Sequence, residues 1–254
     1  MALETYIRER LKKKDILLMT HIVLGYPSFE ASLELVRTMV EAGVDIMELQ
    51  IPFTEPTADG PAIIHANQKA LENGATVKGC LDAAGRAVKE FDIPFLIMSY
   101  YNILFKFGVD RFASAMAGAG LRGAIIADLP PEEGMEYLSA MQKNSLEPIM
   151  LFSPTTTSER MRFISSFARG FVYCVARKGV TGRETDFSKD LEGYLARCRR
   201  ETELPLALGF GIKEKADIDF LKGKVEIAVI GTQSIRVMEK DGIPAVGDFI
   251  RTLR

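Results

Sequence analysis

Cysteine and histidine are scarce in this chain of 254 residues. Cys80, Cys174 and Cys198 make an odd count without a Cys-x-x-Cys spacing, so buried or incidental thiols are expected rather than a disulfide framework or a thiolate metal site. His21 and His65 are the only histidines, too few for a His-rich metal centre. Neither a metal nor a cofactor is expected. Long apolar runs are missing too. The longest stretches without a charge, 16–29 and 93–105, fall short of the roughly 18 residues a membrane span needs. Residues 1–15 mix charged and apolar side chains, so no signal peptide is expected and the chain reads as cytoplasmic. An excess of one charge is also absent. Lys and Arg number 32 against 34 Asp and Glu, a formal net charge of −2, which offers no electrostatic footprint for nucleic acid. The one basic run, Lys12-Lys13-Lys14, suits the negative end of an N-terminal helix and reads as a solvated face.

What is present is an ordinary globular balance, 47% hydrophobic and 26% charged, which excludes a disordered chain. Short apolar runs alternate with longer amphipathic segments. Strands are predicted at 16–24, 44–51, 94–100, 123–127, 148–152, 171–176, 205–209 and 228–231. Most are near-continuous apolar runs, the pattern of strands covered on both faces. Helical periodicity fills the intervals at 31–42, 77–90, 109–119, 133–143, 158–167, 188–200, 213–221 and 242–253, with Ser28 as an N-cap of the first. Eight strand-then-helix units in one chain of this length predict an α/β fold, a single (β/α)₈ TIM barrel over 1–254. A helix at 3–14 precedes it, and a long insertion at 52–73 follows the second strand. A doubly wound sheet shares the alternation, but no Gly-x-Gly-x-x-Gly follows the first strand.

In such barrels the reactive groups project from the C-terminal ends of strands. Alternation along 45–51 turns Met47, Leu49 and Ile51 outward, and Ile46, Glu48 and Gln50 into the barrel. An inward carboxylate is either paired with a cation or functional, and few cationic residues fall within the strands. An apolar setting would favour the neutral form of Glu48, which is how a carboxyl serves as both acid and base near neutrality. The loop that follows carries Asp59-Gly60, which is an ordinary turn pair as well as a second candidate carboxylate. His65, on a helix beyond it, suits a surface or capping role. Gly209-Phe210-Gly211 ends strand seven, and Gly231-Thr232 ends strand eight and opens a short helix at 233–238; Gly179-Val180-Thr181-Gly182 follows strand six. Together they form a phosphate-binding pattern of backbone N–H groups, which favours a phosphorylated small molecule as ligand. A P-loop, His-Glu-x-x-His and a nucleophile elbow are all missing. Lysines are scarce in the strands, against Schiff-base chemistry.

The segment from Glu48 to Pro61, Glu-Leu-Gln-Ile-Pro-Phe-Thr-Glu-Pro-Thr-Ala-Asp-Gly-Pro, resembles the signature of the tryptophan synthase alpha chain. Similar in order and spacing are Tyr100-Tyr101-Asn102, Asp128-Leu129-Pro130-Pro131-Glu132-Glu133, Arg177-Lys178-Gly179-Val180-Thr181-Gly182 and Gly209-Phe210-Gly211-Ile212. The resemblance implies a retro-aldol lyase that cleaves indole-3-glycerol phosphate to indole and glyceraldehyde 3-phosphate. It implies Glu48 as the acid/base at indole C3 and the glycerol hydroxyl, and Asp59 as partner of the indole N–H. Thr181 would orient Asp59. Gly182, Phe210, Gly211, Gly231 and Thr232 would hold the phosphate. His21, Tyr100, Ile125, Ala127, Leu151 and Tyr173 would line the indole pocket. The implied partner is a tryptophan synthase beta chain in a heterotetramer. A lyase that works alone on a related phosphorylated substrate, or a subunit that regulates a partner, are the alternatives. Several positions depart from the common pattern: Gln50 stands where Gly is usual, Glu55 where Asp is, and His21 where an apolar or aromatic residue is. Thr57 and Ile64 are also uncommon.

Overall fold

The structure, a computed structural model, describes residues 1–176, 184–209 and 211–254, with side chains for all of these except 184–189. The chain opens with α1 (Leu3–Leu11), β1 (Leu17–Val23), α2 (Phe29–Glu41) and β2 (Ile46–Gln50). Next come α3 (Pro61–Glu72), α4 (Val77–Glu90), β3 (Phe95–Ser99), α5 (Tyr101–Phe107), α6 (Val109–Gly118) and β4 (Gly123–Ile126). The second half runs α7 (Met135–Lys143), β5 (Glu147–Phe152), α8 (Ser158–Phe167), β6 (Val172–Val175), α9 (Glu184–Glu201) and β7 (Leu206–Gly209). It closes with α10 (Lys215–Leu221), β8 (Ile227–Ile230), α11 (Thr232–Asp241) and α12 (Ile243–Thr252). All eight strands are parallel and β1 pairs with β8, so the sheet is the closed TIM barrel expected from the alternation.

Local chemistry sets the helix starts. Ser28 caps α2 by accepting from the Ala31 N–H at 3.1 Å, as its position predicts. Thr76 does the same for α4, and Pro61 stands at the start of α3, where its missing N–H costs nothing. β4 begins at Gly123 for a steric reason, because a Cβ there would lie 2.1 Å from the Glu147 carbonyl oxygen on β5. The two faces of each strand go to two cores. Met47, Leu49 and Ile51 pack outward against the helices, while Leu17, Met19, Ile46, Leu96 and Phe171 fill the barrel. Leu3 and Ile7 of α1 plug its lower end. Cys80, Cys174 and Cys198 are buried free thiols, as expected.

Two expectations need correction. α5 was not anticipated: its short apolar run follows β3 directly, and such a run carries no clear helical period. The lysine run is not wholly a solvated face either. α1 ends at Leu11, and Lys14 Nζ lies 2.5 Å from Asp45 Oδ1 just before β2. Asp45 is fully buried and also takes Arg10 Nη2 at 2.8 Å and Arg254 Nη2 at 3.3 Å. Its Oδ2 accepts from the Leu18 N–H at 3.1 Å. Burial pulls the Lys14 pKa down, with Asp45 holding against it. One carboxylate thus ties the N-terminal helix, the first two strands and Arg254 together at the foot of the barrel.

Candidate active site

The register between β1 and β2 sets His21 opposite Glu48 and Val23 opposite Gln50. His21 and Glu48 therefore meet inside the barrel, where they are 4% and 3% exposed. His21 Nδ1 lies 2.5 Å from Glu48 Oε1. Glu48 points inward as its alternation predicts, yet it has a titratable partner rather than the purely apolar setting expected, and that partner is neither lysine nor arginine. The period of each strand says which residues face inward. It does not say which inward residues on neighbouring strands touch.

Asp59 reaches the same mouth from the loop after β2. Its own N–H donates to the Pro56 carbonyl at 3.0 Å, so the turn is centred on Thr57 and Ala58 rather than on Asp59-Gly60: Asp59 closes it, and Gly60 is the N-cap of α3. The carboxylate is nevertheless engaged: Gln50 Nε2 donates to Asp59 Oδ2 at 2.7 Å. The loop is held from two sides. Asn67 of α3 accepts from the Phe53 N–H at 2.9 Å and donates to the Ile63 carbonyl at 2.8 Å. The Tyr100 hydroxyl accepts from the Ala58 N–H at 3.2 Å, and the Phe53 and Tyr100 rings stack with centroids 5.1 Å apart. The sequence reading missed Asn67; its signal is an amide one helical turn after Ile63, on the face that the loop must cross.

The residues that the resemblance assigns to an indole pocket come together inside the barrel. Tyr100, Ile125, Ala127, Leu151 and Tyr173 all belong to, or pack against, the cluster inside the barrel. Burial pushes the Tyr173 phenol well up, and the charges of Glu48 and Asp59 push it further. Tyr100 moves the same way, from burial first and then from Asp59. Both phenols are neutral donors or acceptors at physiological pH. For His21, burial disfavours the imidazolium, but the hydrogen bond and charge of Glu48, the charge of Asp59 and the Gln50 side chain outweigh it, and the pKa is raised. Among the described residues, nothing partners the buried Glu48 Oε2, His21 Nε2 and Gln50 Oε1. Such atoms are costly unless something binds them.

On the facing rim, Gly209 ends β7 and Gly231 ends β8 as the N-cap of α11, with Thr232 its first residue. Gly211 has φ +89°, a conformation suited to glycine, and a Cβ there would meet open space. A Cβ at Gly231 would lie 3.4 Å from that of His21, so this rim adjoins the acidic one. Thr181, Gly182 and Phe210 lie outside the described residues. Glu55 and Thr57 are exposed, Ile64 is 42% exposed, and His65 is an exposed residue edge-on to Tyr26. Among the described residues, no cluster of three His, Cys, Asp or Glu could hold a metal ion.

Comparison with known proteins agrees with this geometry. The family model described as tryptophan synthase alpha chain matches residues 7–246. The tryptophan synthase alpha chain of Desulforapulum autotrophicum is 61% identical, over 99% of each chain. That of Syntrophotalea carbinolica is 60% identical, over 99% of this chain and 100% of that one. Among solved structures, tryptophan synthase subunit alpha from Legionella pneumophila superposes with a TM-score of 0.90 at 30% identity, covering 100% of this chain and 97% of that one. With the barrel, the inward carboxylate and the match along nearly the whole sequence, this chain belongs to the tryptophan synthase alpha chain family.

Proposed function

We propose that the chain cleaves indole-3-glycerol phosphate by proton transfer on Glu48, with Asp59 holding the indole N–H. The observation that carries the reading is a buried Glu48 with one oxygen tied to His21 and the other without a partner among the described residues, while Asp59 is turned toward the same mouth. Protonation of indole C3 leaves positive charge on the ring nitrogen, and a carboxylate accepting that N–H stabilises it. Removal of the proton from the hydroxyl next to C3 then forms the aldehyde. The C3 bond breaks and its electron pair returns to the ring, quenching the charge. Glu48 gives one proton and takes one, so a single carboxyl completes the cycle without a net change. Tyr100, Ile125, Ala127, Leu151 and Tyr173, with His21, would cover the ring. The phosphate would rest on backbone N–H groups of Gly211, Gly231 and Thr232, together with Gly182 and Phe210, and Thr181 would orient Asp59. We place the protein in the cytoplasm, with a tryptophan synthase beta chain as its partner, and the exposed loop with Glu55 and Thr57 as the part of the surface that departs from the family pattern.

Indole release from indole-3-glycerol phosphate, measured with and without a beta chain, tests the reading. Release that the beta chain accelerates is expected. Equal release in its absence favours a lyase that works alone, and a silent chain that still activates a beta chain favours a regulatory subunit. For the phosphate end, Gly211→Ala adds a methyl in open space and strains a positive φ. We expect glyceraldehyde 3-phosphate to bind about tenfold more weakly, with indole affinity within about twofold, by calorimetry. Equal losses for both ligands would point to misfolding and remove the phosphate assignment.

A further inference from the structure

We propose that His21 and Gln50 are positioning residues of this lyase site, His21 fixing Glu48 and sharing its proton, and Gln50 holding Asp59 turned into the mouth. The inference rests on the lyase reading above and adds two residues to it. Both stand where the family pattern has side chains unable to make these contacts, an apolar or aromatic one and a glycine.

His21 Nδ1 takes Glu48 Oε1 at 2.5 Å in a place closed to water, so the carboxyl is not free to rotate. That leaves Oε2 as the single oxygen presented to a substrate. Proton transfer needs a reach of roughly 2.6–3.2 Å, so one oriented oxygen is worth more than two mobile ones. The imidazole also steadies the proton exchange: once Glu48 has given its proton to indole C3, Nδ1–H donates to the anionic Oε1 and holds that charge until Oε2 takes the hydroxyl proton. No proton is gained or lost by the pair over the cycle.

Gln50 works on the other carboxylate. An ionised Asp59 accepts only, so the amide must meet it with nitrogen, and the 2.7 Å contact fixes which way the amide faces. Its Oε1 is then directed away from Asp59, and the side chain contributes to the upward shift of His21. A neutral amide thus stands between two carboxylates that would otherwise repel each other. With glycine here, Asp59 would lose this donor.

Among the described residues, the charged groups acting on His21 have one sign. Glu48 comes from β2 and Asp59 from the following loop; Tyr173 from β6 faces the same two charges as a neutral phenol, and Gly231 from β8 offers no side chain. Both charges favour imidazolium, and they outweigh burial. The last proton of the pair is therefore held above the ordinary imidazole value of 6.5 and lost on the alkaline side.

The test is kcat and KM for indole-3-glycerol phosphate across pH, for the native protein, His21→Phe, His21→Asn and Gln50→Gly. His21→Phe should lower kcat about tenfold and remove the alkaline limb above the imidazole value. His21→Asn, able to donate to Glu48 but not to titrate, should recover most of kcat without the limb. Gln50→Gly should lower kcat about tenfold and keep the limb. KM should stay within about twofold throughout. His21→Phe with a native profile and turnover within about twofold overturns the role of His21, and an unchanged kcat in Gln50→Gly overturns that of Gln50. A second readout is independent of turnover. The imidazole of His21, assigned by its loss in His21→Phe, is titrated by NMR in native protein and in Glu48→Gln. Its pKa should fall by about one unit in Glu48→Gln, and an unchanged value overturns the pairing. A native protein that releases no indole overturns the lyase reading and the positioning roles with it, while the titration still decides whether His21 and Glu48 share a proton.

Discussion

Glu48→Gln is expected to reduce lyase turnover by about 10³-fold while the protein stays folded and still binds glyceraldehyde 3-phosphate. The substitution keeps size and shape, and an amide oxygen can accept from His21 Nδ1, so the buried contact on that side survives. What it removes is the ability to give and take a proton at Oε2, which has no partner among the described residues. A loss confined to kcat is the signature of an interaction made only as the reaction proceeds. Single-turnover indole release, with circular dichroism to confirm the fold, measures it. A folded Glu48→Gln protein within tenfold of native turnover would sink the acid/base assignment.

Asp45→Ala should cost about 3 kcal/mol of stability, the low end of what breaking a buried ion pair costs. Arg10, Lys14 and Arg254 would converge on a site without its anion, and the buried Leu18 N–H would lose its acceptor. The low end applies because the three cations are partly exposed, 41%, 23% and 33%, and can turn to water. For a domain of this size the melting temperature should drop by about 6–12 °C. Asp45→Asn keeps an acceptor for Leu18 and should fall between the two. Turnover per folded molecule should not change, since Asp45 lies at the foot of the barrel and Glu48 at its mouth. Differential scanning calorimetry checks the expectation, and a melting temperature within about 2 °C of native would refute it.

The barrel could be read from the sequence because strands buried on both faces are written as apolar runs, from Leu17–Val23 through Ile227–Ile230. The direction of Glu48 followed from the period of two. Gly209 and Gly231 stand at the end of β7 and at the start of α11, where their spacing in the sequence puts them; the phosphate they would hold belongs to the proposal. What escaped depends on contacts between elements. The His21–Glu48 pair depends on the stagger of β1 against β2, and the embrace of Lys14 by Asp45 on where α1 stops. Asp59 could be read equally as a turn residue, because the two roles are compatible: it closes the turn that begins at Pro56, and its carboxylate takes Gln50 Nε2. Thr181, Gly182 and Phe210 rest on the resemblance alone.

The seam at which β1 meets β8 joins the two ends of the chain. His21, Glu48, Gln50 and Asp59 belong to the first quarter of the chain, whereas Gly211, Gly231 and Thr232 belong to the last. The register of the seam ends at Thr20 against Ile230, and the next residue on each strand is His21 and Gly231. A substrate gripped by its ring on one side and its phosphate on the other would lie across this closure like a staple. The ligand would then touch both ends of the polypeptide at once, and occupancy would resist opening of the barrel at this seam. At a hundred times the dissociation constant that resistance amounts to about 2.7 kcal/mol, drawn from a molecule the protein is built to break in two.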